Sequence, residues 1–189
     1  MSNSAFKQKL GLIATSLRIV LAPFVLLGVY IPENDSLKYV CAILFIIGSI
    51  TDGLDGYWAR KYNGVTDFGK FYDPAADKVI VLAALLTLLS LGRVGPILVF
   101  LLLSRDFIIG AVRSAAASKG IVIDAKQIGK WKTAIQMVCI PVLFININYF
   151  NLPLIKLAYL GLWASVVLSL VSAAEYIMLF KKGKEKANP

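Results

Sequence analysis

Apolar residues along this chain are gathered in six long runs, and polar residues fill the short segments between them. The runs cover residues 12–31, 38–60, 71–91, 96–118, 129–146 and 154–180. A helix needs about 20 mostly apolar residues to cross a bilayer, so each run is close to the length of one transmembrane helix. The pattern predicts an all-α polytopic membrane protein, a bundle of about six transmembrane helices. Residues 1–10 are more polar and predict a short N-terminal surface segment.

The composition agrees with a chain that lies mostly in lipid. Its 189 residues are 58% hydrophobic and 16% charged, and no polar stretch is long enough for a separate soluble domain. We therefore predict a single membrane domain over residues 1–189. The 20 Lys and Arg residues outnumber the 11 Asp and Glu residues, a balance that nucleic-acid-binding proteins also show. Because the basic residues lie mainly at the ends of apolar runs, they favour contact with anionic lipid, and we expect no nucleic-acid partner.

The distribution of basic residues predicts the orientation. If both termini and the links after the second and fourth runs lie on one side, only Lys38, Arg93 and Lys156 fall near the other. The positive-inside rule makes the more basic side cytoplasmic. Both termini, and the polar groups of residues 52–77, would then face the cytoplasm.

Four carboxylates interrupt the apolar pattern at the facing ends of the second and third runs. They are Asp52, Asp55, Asp73 and Asp77. An uncompensated charge at membrane depth costs several kcal/mol, so ionisable residues there indicate a function. The first two are three residues apart and the last two are four apart, which places the members of each helical pair within roughly 60° of each other. Oxygen ligands suit hard divalent cations, so we predict a site for two metal ions, Mg²⁺ or Mn²⁺.

Small and basic residues beside these aspartates indicate a phosphorylated ligand. Gly56 and Ala59 leave the backbone of the second helix open to a bulky group, and Gly69 does the same in the intervening loop. Arg60 supplies a planar fork of donors that matches phosphate. The alternative is a cation transporter or pore in which the glycines serve helix packing. The number of polar groups exceeds what one cation path needs, which favours the phosphorylated ligand.

Two positions allow more than one structure. Asp73 precedes Pro74, so either Asp73 caps a helix that begins there or Pro74 lies in a helix that started earlier. Arg18 lies within the first run, one turn after Thr15. Its side chain either extends to the membrane surface or turns inward to an anionic substrate. The sequence leaves both questions open.

Basic residues recur in the fourth and fifth runs, on the same side as the aspartates. They are Arg105, Arg113, Lys130 and Lys132. Cations at this depth suggest a phosphate binder; the alternative is pairing with the aspartates, and the two can coexist. Asp106 and Arg113 are seven residues apart and share one helix face within roughly 20°. Lys130 and Lys132 can serve one ligand only if a helix starts around them, because residues two apart point to nearly opposite sides.

The aspartates and the residues between them resemble the signature of the CDP-alcohol phosphatidyltransferase family. All eight fixed positions are filled, in the order Asp52-x-x-Asp55-Gly56-x-x-Ala59-Arg60, eight residues, Gly69-x-x-x-Asp73-x-x-x-Asp77. The resemblance implies an enzyme in which metal ions bridge the pyrophosphate of CDP-diacylglycerol and CMP is the leaving group. It also implies a homodimer in the bacterial cytoplasmic (inner) membrane.

The resemblance assigns roles to the signature residues. The metal ligands would be the four aspartates. The CDP-lipid would contact Asp52, Asp55, Gly56, Ala59, Arg60, Gly69 and Asp73. Asp77 would take the proton from the acceptor hydroxyl, and the absence of His from the chain leaves a carboxylate or a Lys as the available base. Asp77 would then serve as base, as metal ligand or as both.

The basic segments are similar to those of family members whose acceptor is sn-glycerol 3-phosphate. The resemblance implies that the acceptor phosphate contacts Arg105, Arg113, Lys130 and Lys132. Thr15 and Arg18 are further candidate site residues. Two features depart from the family pattern: Asp106 stands where Glu is usual, and Lys9-Leu10-Gly11 stands where Asn-Ile-Pro is usual. Another acceptor, such as inositol phosphate, serine or phosphatidylglycerol, would keep the aspartates and change the basic pocket.

Overall fold

The computed structural model describes the backbone of residues 3–30, 35–62, 67–117, 127–146 and 153–187. Side chains are described for residues 15–30, 36–51, 76, 78–112, 131–146, 153–174 and 178. Within the described backbone the chain forms six α-helices and no strand, which confirms the predicted all-α class. The helices are α1 (Asn3–Leu26), α2 (Asp35–Tyr62), α3 (Asp67–Ser90), α4 (Pro96–Ala117), α5 (Gln127–Ile145) and α6 (Leu154–Ala187). A short 3₁₀ helix, Leu27–Tyr30, follows α1.

Several helices extend beyond the predicted runs, and two of these differences concern predicted features. Helix α1 begins at Asn3, so the polar start is not separate from the first helix. No proline interrupts it there, and Gly11 lowers helix stability by only about 1 kcal/mol. Gly69 lies in the first turn of α3 and not in a loop, because α3 begins at Asp67, an acidic residue that favours a helix N-terminus. Pro74 therefore lies within a helix that started earlier.

The helices group into two compact units. The first comprises Met1–Val94 with Ile140–Ile147, and the second comprises Gly95–Cys139 with Asn148–Pro189. Helices α1, α2 and α3 therefore belong to the first unit together with the end of α5. Helices α4 and α6 and most of α5 belong to the second.

In the first unit, α1 packs against both α2 and α3. Buried apolar side chains of all three helices fill the space between them, among them Ala22, Val25, Phe45, Ala84 and Leu88. The hydroxyl of Thr87 in α3 lies near the end of α1, 3.0 Å from the carbonyl oxygen of Val25 and 2.9 Å from that of Ala83 in its own helix. The last carbonyl groups of a helix lack amide partners within it, and the single hydroxyl hydrogen is available to both of these oxygens.

A tight turn closes α3, and the arginine that follows it contacts the end of α5. Gly92 has a φ of 67°, the left-handed conformation that commonly ends a helix, and the Arg93 amide donates to the carbonyl oxygen of Leu88 at 3.0 Å. Arg93 Nη1 donates to the carbonyl oxygen of Leu143 at 2.5 Å and to that of Phe144. A cation at this position satisfies helix-terminal carbonyls and interacts favourably with the helix dipole.

In the second unit, α6 packs against α4 and α5. Gly161 allows a close approach to α5, because a Cβ at this position would lie 2.6 Å from Sγ of Cys139. Small residues of this kind let helix backbones approach each other, as is common in membrane proteins. The buried apolar side chains of this unit include Leu98, Leu102, Leu162 and Val166.

Large apolar side chains also cover the outside of the described helices. Ile97, Phe100 and Val138 are 67%, 68% and 66% exposed. Among the described residues, one helical segment is both long and apolar enough to cross a membrane, Leu154–Ala174 in α6, with 21 residues and a mean hydropathy of 2.0. Four other helical stretches are apolar but shorter, namely Thr15–Tyr30, Ser36–Thr51, Lys78–Ser90 and Trp131–Ile145.

Candidate active site

The two predicted aspartate pairs lie on adjacent helices of the first unit. Asp52 and Asp55 belong to α2, and Asp73 and Asp77 belong to α3. Both helices continue through these positions, so each pair keeps the spacing that puts its members on one face. The other predicted nucleotide-binding residues lie on the same helices, with Gly56, Ala59 and Arg60 in α2 and Gly69 in α3. The side chains of this whole stretch lie outside the described residues.

A contact between α2 and α3 shows which residues of the two helices lie side by side. Ile80 packs so closely over Gly48 that a Cβ at Gly48 would overlap the Cδ1 atom of Ile80. Asp52 follows Gly48 by one helical turn, and Asp77 precedes Ile80 by one turn. Both steps lead toward the link between the two helices. The backbone therefore brings the positions of Asp52 and Asp77 to the same level of the first unit.

Arg18 is buried close to this level. Arg18 and Thr15 are each 1% exposed, and Cγ of Arg18 lies 3.6 Å from where a Cβ would stand at Gly48. The side chain therefore turns inward, and the alternative in which it extends to the surface is wrong. A guanidinium buried this deeply requires anionic partners or several polar ones.

The second unit contains a largely buried cluster of one carboxylate and two cations. Oδ1 of Asp106 accepts a hydrogen bond from Nη1 of Arg105 at 3.0 Å and another from Nζ of Lys132. The side chains of Arg105, Asp106 and Lys132 are 13%, 19% and 4% exposed. Among the described side chains, two cations share one carboxylate in this cluster. Such a cluster attracts a further anion, and the low dielectric of a buried site strengthens that attraction.

Residues of the cluster also contact α6, and further polar groups of α5 and α6 are buried in the same unit. Nε of Arg105 donates to the carbonyl oxygen of Ser169 at 3.0 Å, and the hydroxyl of Ser165 lies 3.5 Å from the carbonyl oxygen of Lys132. Within the described part of the chain, Nε2 of Gln136 and Oγ of Ser169 are buried without a hydrogen-bond partner. A buried polar group in that state costs about 1–3 kcal/mol, a penalty that a polar ligand or a water molecule would remove.

Two of the four predicted phosphate-binding residues come together in this cluster. They are Arg105 and Lys132. The side chains of Arg113, in α4, and Lys130, in α5, lie outside the described residues. Helix α5 begins at Gln127, so both of its lysines lie near its start. Both lie within continuous helix, where residues two apart point to nearly opposite sides, so their joint role stays a prediction.

Sequence reasoning missed the importance of Asp106 and the polar residues beside the cluster. The sequence indicated Asp106 mainly as a departure from a family pattern, yet its carboxylate joins α4 to α5 through an ion pair with Lys132. Ser165 and Ser169 were not predicted at all. Their four-residue spacing on an apolar helix is a signal that the sequence does contain, and Lys132 and Gln136 have the same spacing.

The metal prediction concerns side chains beyond those described. Among the described side chains, no three His, Cys, Asp or Glu residues lie together as a metal site would require. The four predicted aspartate ligands are not part of that set. The metal site therefore stays a prediction.

This all-α chain combines paired aspartates on two adjacent helices with a buried basic cluster. Sequence comparison identifies the class of protein that has these features. The chain belongs to the CDP-alcohol phosphatidyltransferase family, whose sequence pattern matches residues 10–171. The matched range includes every signature position as well as the Arg105, Asp106 and Lys132 cluster. The family resemblance of the aspartate signature is thus confirmed.

Within this family, the chain is similar to bacterial proteins named CDP-diacylglycerol--glycerol-3-phosphate 3-phosphatidyltransferase. The protein of that name from Bacillus subtilis (strain 168) is 38% identical over 178 residues, which are 93% of this chain and 92% of the relative. The one from Rickettsia felis is 34% identical over 171 residues, 89% of this chain and 93% of the relative. The one from Haemophilus influenzae is 34% identical over 180 residues, 93% of this chain and 95% of the relative.

Proposed function

We propose that this chain transfers the phosphatidyl group of CDP-diacylglycerol to sn-glycerol 3-phosphate and releases CMP, the activity of a phosphatidylglycerophosphate synthase. Relatives named for this reaction align with nearly the whole chain. The structural observation that carries the choice of acceptor is the buried cluster in which two cations, Arg105 and Lys132, share the carboxylate of Asp106. A phosphorylated alcohol offers the anion that this cluster attracts.

The reaction takes place at a membrane in this proposal. The described helices contain 19 to 34 residues, and about 20 suffice to cross the hydrocarbon core. Their outward side chains include Ile97, Phe100 and Val138, which suit contact with lipid. The whole chain, residues 1–189, would form one polytopic domain of the bacterial cytoplasmic membrane, with both termini and the active site facing the cytoplasm. The family resemblance supports a homodimer.

The chemistry of the aspartates fits two divalent cations, Mg²⁺ or Mn²⁺. The donors are carboxylates on two adjacent helices, and the backbone brings two of their positions to one level. Hard cations prefer oxygen ligands of this kind. The residues that would hold the ions are Asp52, Asp55, Asp73 and Asp77. When bound, the ions supply positive charge against the pyrophosphate and the departing CMP.

Residues of the chain position the substrates for a single in-line displacement. Gly56, Ala59 and Gly69 leave room for the nucleotide, and Arg60 donates hydrogen bonds to its phosphates. Asp77 accepts the proton of the acceptor's primary hydroxyl while that oxygen forms a bond to the attacked phosphorus. The bond between that phosphorus and the CMP oxygen breaks at the same time, and CMP leaves with the bonding electrons.

The acceptor's own phosphate is bound away from the reacting atoms. Arg105 and Lys132 provide fixed donors for it, and Arg113 and Lys130 add charge from the same helices. Asp106 orients both fixed cations through a single oxygen atom. Binding energy gained at this remote phosphate helps to place the hydroxyl for attack.

A panel of acceptors tests the proposal. Purified protein is incubated with CDP-diacylglycerol, Mg²⁺ and one acceptor at a time, and CMP and the lipid product are measured. We expect product with sn-glycerol 3-phosphate and very little with glycerol, which lacks the phosphate. If product formed with serine, inositol phosphate or phosphatidylglycerol instead, the proposed reaction class would hold but the proposed acceptor would be wrong. Cation flux in liposomes without CMP release from any acceptor would favour a transporter.

Lys132→Ala should raise the KM for sn-glycerol 3-phosphate about tenfold or more and change the KM for CDP-diacylglycerol much less. A hydrogen bond to a charged group is worth about 1.5–3 kcal/mol, and about 1.4 kcal/mol corresponds to a tenfold change in binding. Steady-state kinetics with each substrate varied in turn measures both constants.

One variant controls for effects unrelated to the acceptor phosphate. Lys156→Ala removes an exposed lysine from α6 of the same unit and should leave both KM values unchanged. If Lys132→Ala raised both KM values equally, the assignment of Lys132 to the acceptor phosphate would be wrong.

A further inference from the structure

Two buried polar groups of the second unit have no partner within the fold. Over the part of the chain whose side chains are described, these are Nε2 of Gln136 and Oγ of Ser169. The two residues are 3% and 1% exposed, so both are shielded from bulk water. Buried donors of this kind destabilise a protein unless a ligand or an ordered water molecule accepts their hydrogen bonds.

The hydroxyl of Ser169 also differs from other hydroxyls on the described helices. A hydroxyl in a helix commonly donates to the carbonyl oxygen four residues earlier. Thr51, Thr87 and Ser104 all do so, at 2.6, 2.9 and 2.6 Å. Ser169 does not, although Ser165 stands four residues before it in the same helix. Its hydroxyl is therefore left for a group outside α6.

Both residues lie on helix faces that contact the basic cluster. The carbonyl oxygen of Ser169 accepts from Nε of Arg105 at 3.0 Å, which places Ser169 next to one of the cations. Gln136 follows Lys132 by one turn on the same buried face of α5. The hydroxyl of Ser165 lies 3.5 Å from the carbonyl oxygen of Lys132, so this face of α5 meets the face of α6 that carries Ser169.

The chemistry of the two groups suits a phosphate held by the cluster. The cations spend donors inside the protein, because Arg105 and Lys132 both donate to Asp106 and Arg105 also donates to a carbonyl oxygen of α6. A phosphate group presents three strong acceptor oxygens. A side-chain amide offers two donors and a hydroxyl offers one, so Gln136 and Ser169 can add hydrogen bonds without adding charge.

We propose that Gln136 and Ser169 are additional binding residues for the phosphate of the acceptor. Nε2 of Gln136 and Oγ of Ser169 donate to oxygen atoms of the phosphate that Arg105 and Lys132 attract. This inference rests on the proposed function and extends its acceptor site from α4 and α5 to α6. The two donors stay without a partner in the free protein, so part of their hydrogen-bonding capacity is kept for the substrate.

Gln136→Met and Ser169→Ala test the proposal in the full-length protein. Each removes a donor, and Ser169→Ala leaves in place the carbonyl group that Arg105 contacts. We expect each to raise the KM for sn-glycerol 3-phosphate about tenfold or more and to leave the KM for CDP-diacylglycerol unchanged. Inorganic phosphate, used as a competitor of the acceptor, should inhibit each variant more weakly by a similar factor.

Thermal melts without substrate distinguish these variants from a structural control. Removing an unpartnered buried donor should leave the Tm unchanged or raise it. Thr87→Val removes a buried hydroxyl of the first unit that does have partners, the carbonyl oxygens of Val25 and Ala83. It should lower the Tm and leave both KM values unchanged. If Gln136→Met does not fold, Ser169→Ala carries the test.

Three results would overturn the inference, and they can be told apart. Unmodified constants for sn-glycerol 3-phosphate and inorganic phosphate in the folded variants would mean that the two groups hold internal water or serve packing. A raised KM with unmodified inhibition by inorganic phosphate would assign them to the hydroxyl groups of the acceptor and not to its phosphate. If the unmodified protein formed no product with sn-glycerol 3-phosphate, the proposed function itself would be wrong, and the inference with it.

Discussion

Asp52→Ala, Asp55→Ala and Asp73→Ala are each expected to abolish phosphatidyl transfer while the helices remain folded. Each change removes a carboxylate from the set proposed to hold the cations that offset phosphate charge in the transition state. Loss of one carboxylate also reduces repulsion among the remaining ones, so folding should not suffer. CMP release at saturating substrate measures the first effect, and circular dichroism with a thermal melt measures the second.

Thr51→Ala is a suitable control for these variants. Thr51 precedes Asp52 on α2, and its hydroxyl donates to the carbonyl oxygen of Ile47 in the same helix at 2.6 Å. We expect this variant to keep full activity. Excess chelator should stop turnover by the unmodified protein, and added Mg²⁺ or Mn²⁺ should restore it. Full turnover in excess chelator would contradict the metal-dependent mechanism.

Run lengths of apolar residues predicted the helices well but not their ends. Hydropathy indicates which residues suit the lipid core, whereas helix formation depends on propensity and capping. The polar start belongs to α1 for this reason, and α6 continues beyond its apolar part to Ala187. Lys, Gln and Glu are good helix formers, so a helix extends past the point where its residues stop being apolar.

The candidate site was predictable where its pattern is local. The spacings of Asp52 with Asp55 and of Asp73 with Asp77 survive because both pairs lie in continuous helices. Pairings between distant segments cannot be predicted from local spacing. The ion pair between Asp106 and Lys132 joins two helices, and neither neighbourhood alone indicates the other residue.

Arg18 illustrates the same limit in the first unit. Sequence position alone allowed its side chain to extend to the surface or to turn inward, because a long flexible cation can do either. The deciding feature is Gly48 on another helix, which leaves room for the arginine stem. A glycine in an apolar run has many uses, and only the packing of α1, α2 and α3 reveals this one.

Asp77→Asn is expected to remove nearly all turnover, by about 10²–10⁴-fold, while CDP-diacylglycerol still binds. The amide has almost the shape of the carboxylate but cannot accept the proton of the acceptor hydroxyl at neutral pH. An effect on proton transfer lowers kcat, and one on ground-state binding would raise KM. Turnover is measured as CMP release, and nucleotide binding by calorimetry with CMP and Mn²⁺.

Comparison with Asp52→Ala separates the two roles open to Asp77. As a metal ligand, Asp52 should be needed both for turnover and for metal-dependent nucleotide binding, so its variant should lose both. If Asp77 is the base, the Asp77→Asn variant should lose turnover but keep nucleotide binding, because the remaining carboxylates still hold the cations. If Asp77→Asn lost nucleotide binding as completely as Asp52→Ala, Asp77 would be chiefly a metal ligand. The proton would then have to pass to another carboxylate or to a lysine, since the chain contains no His.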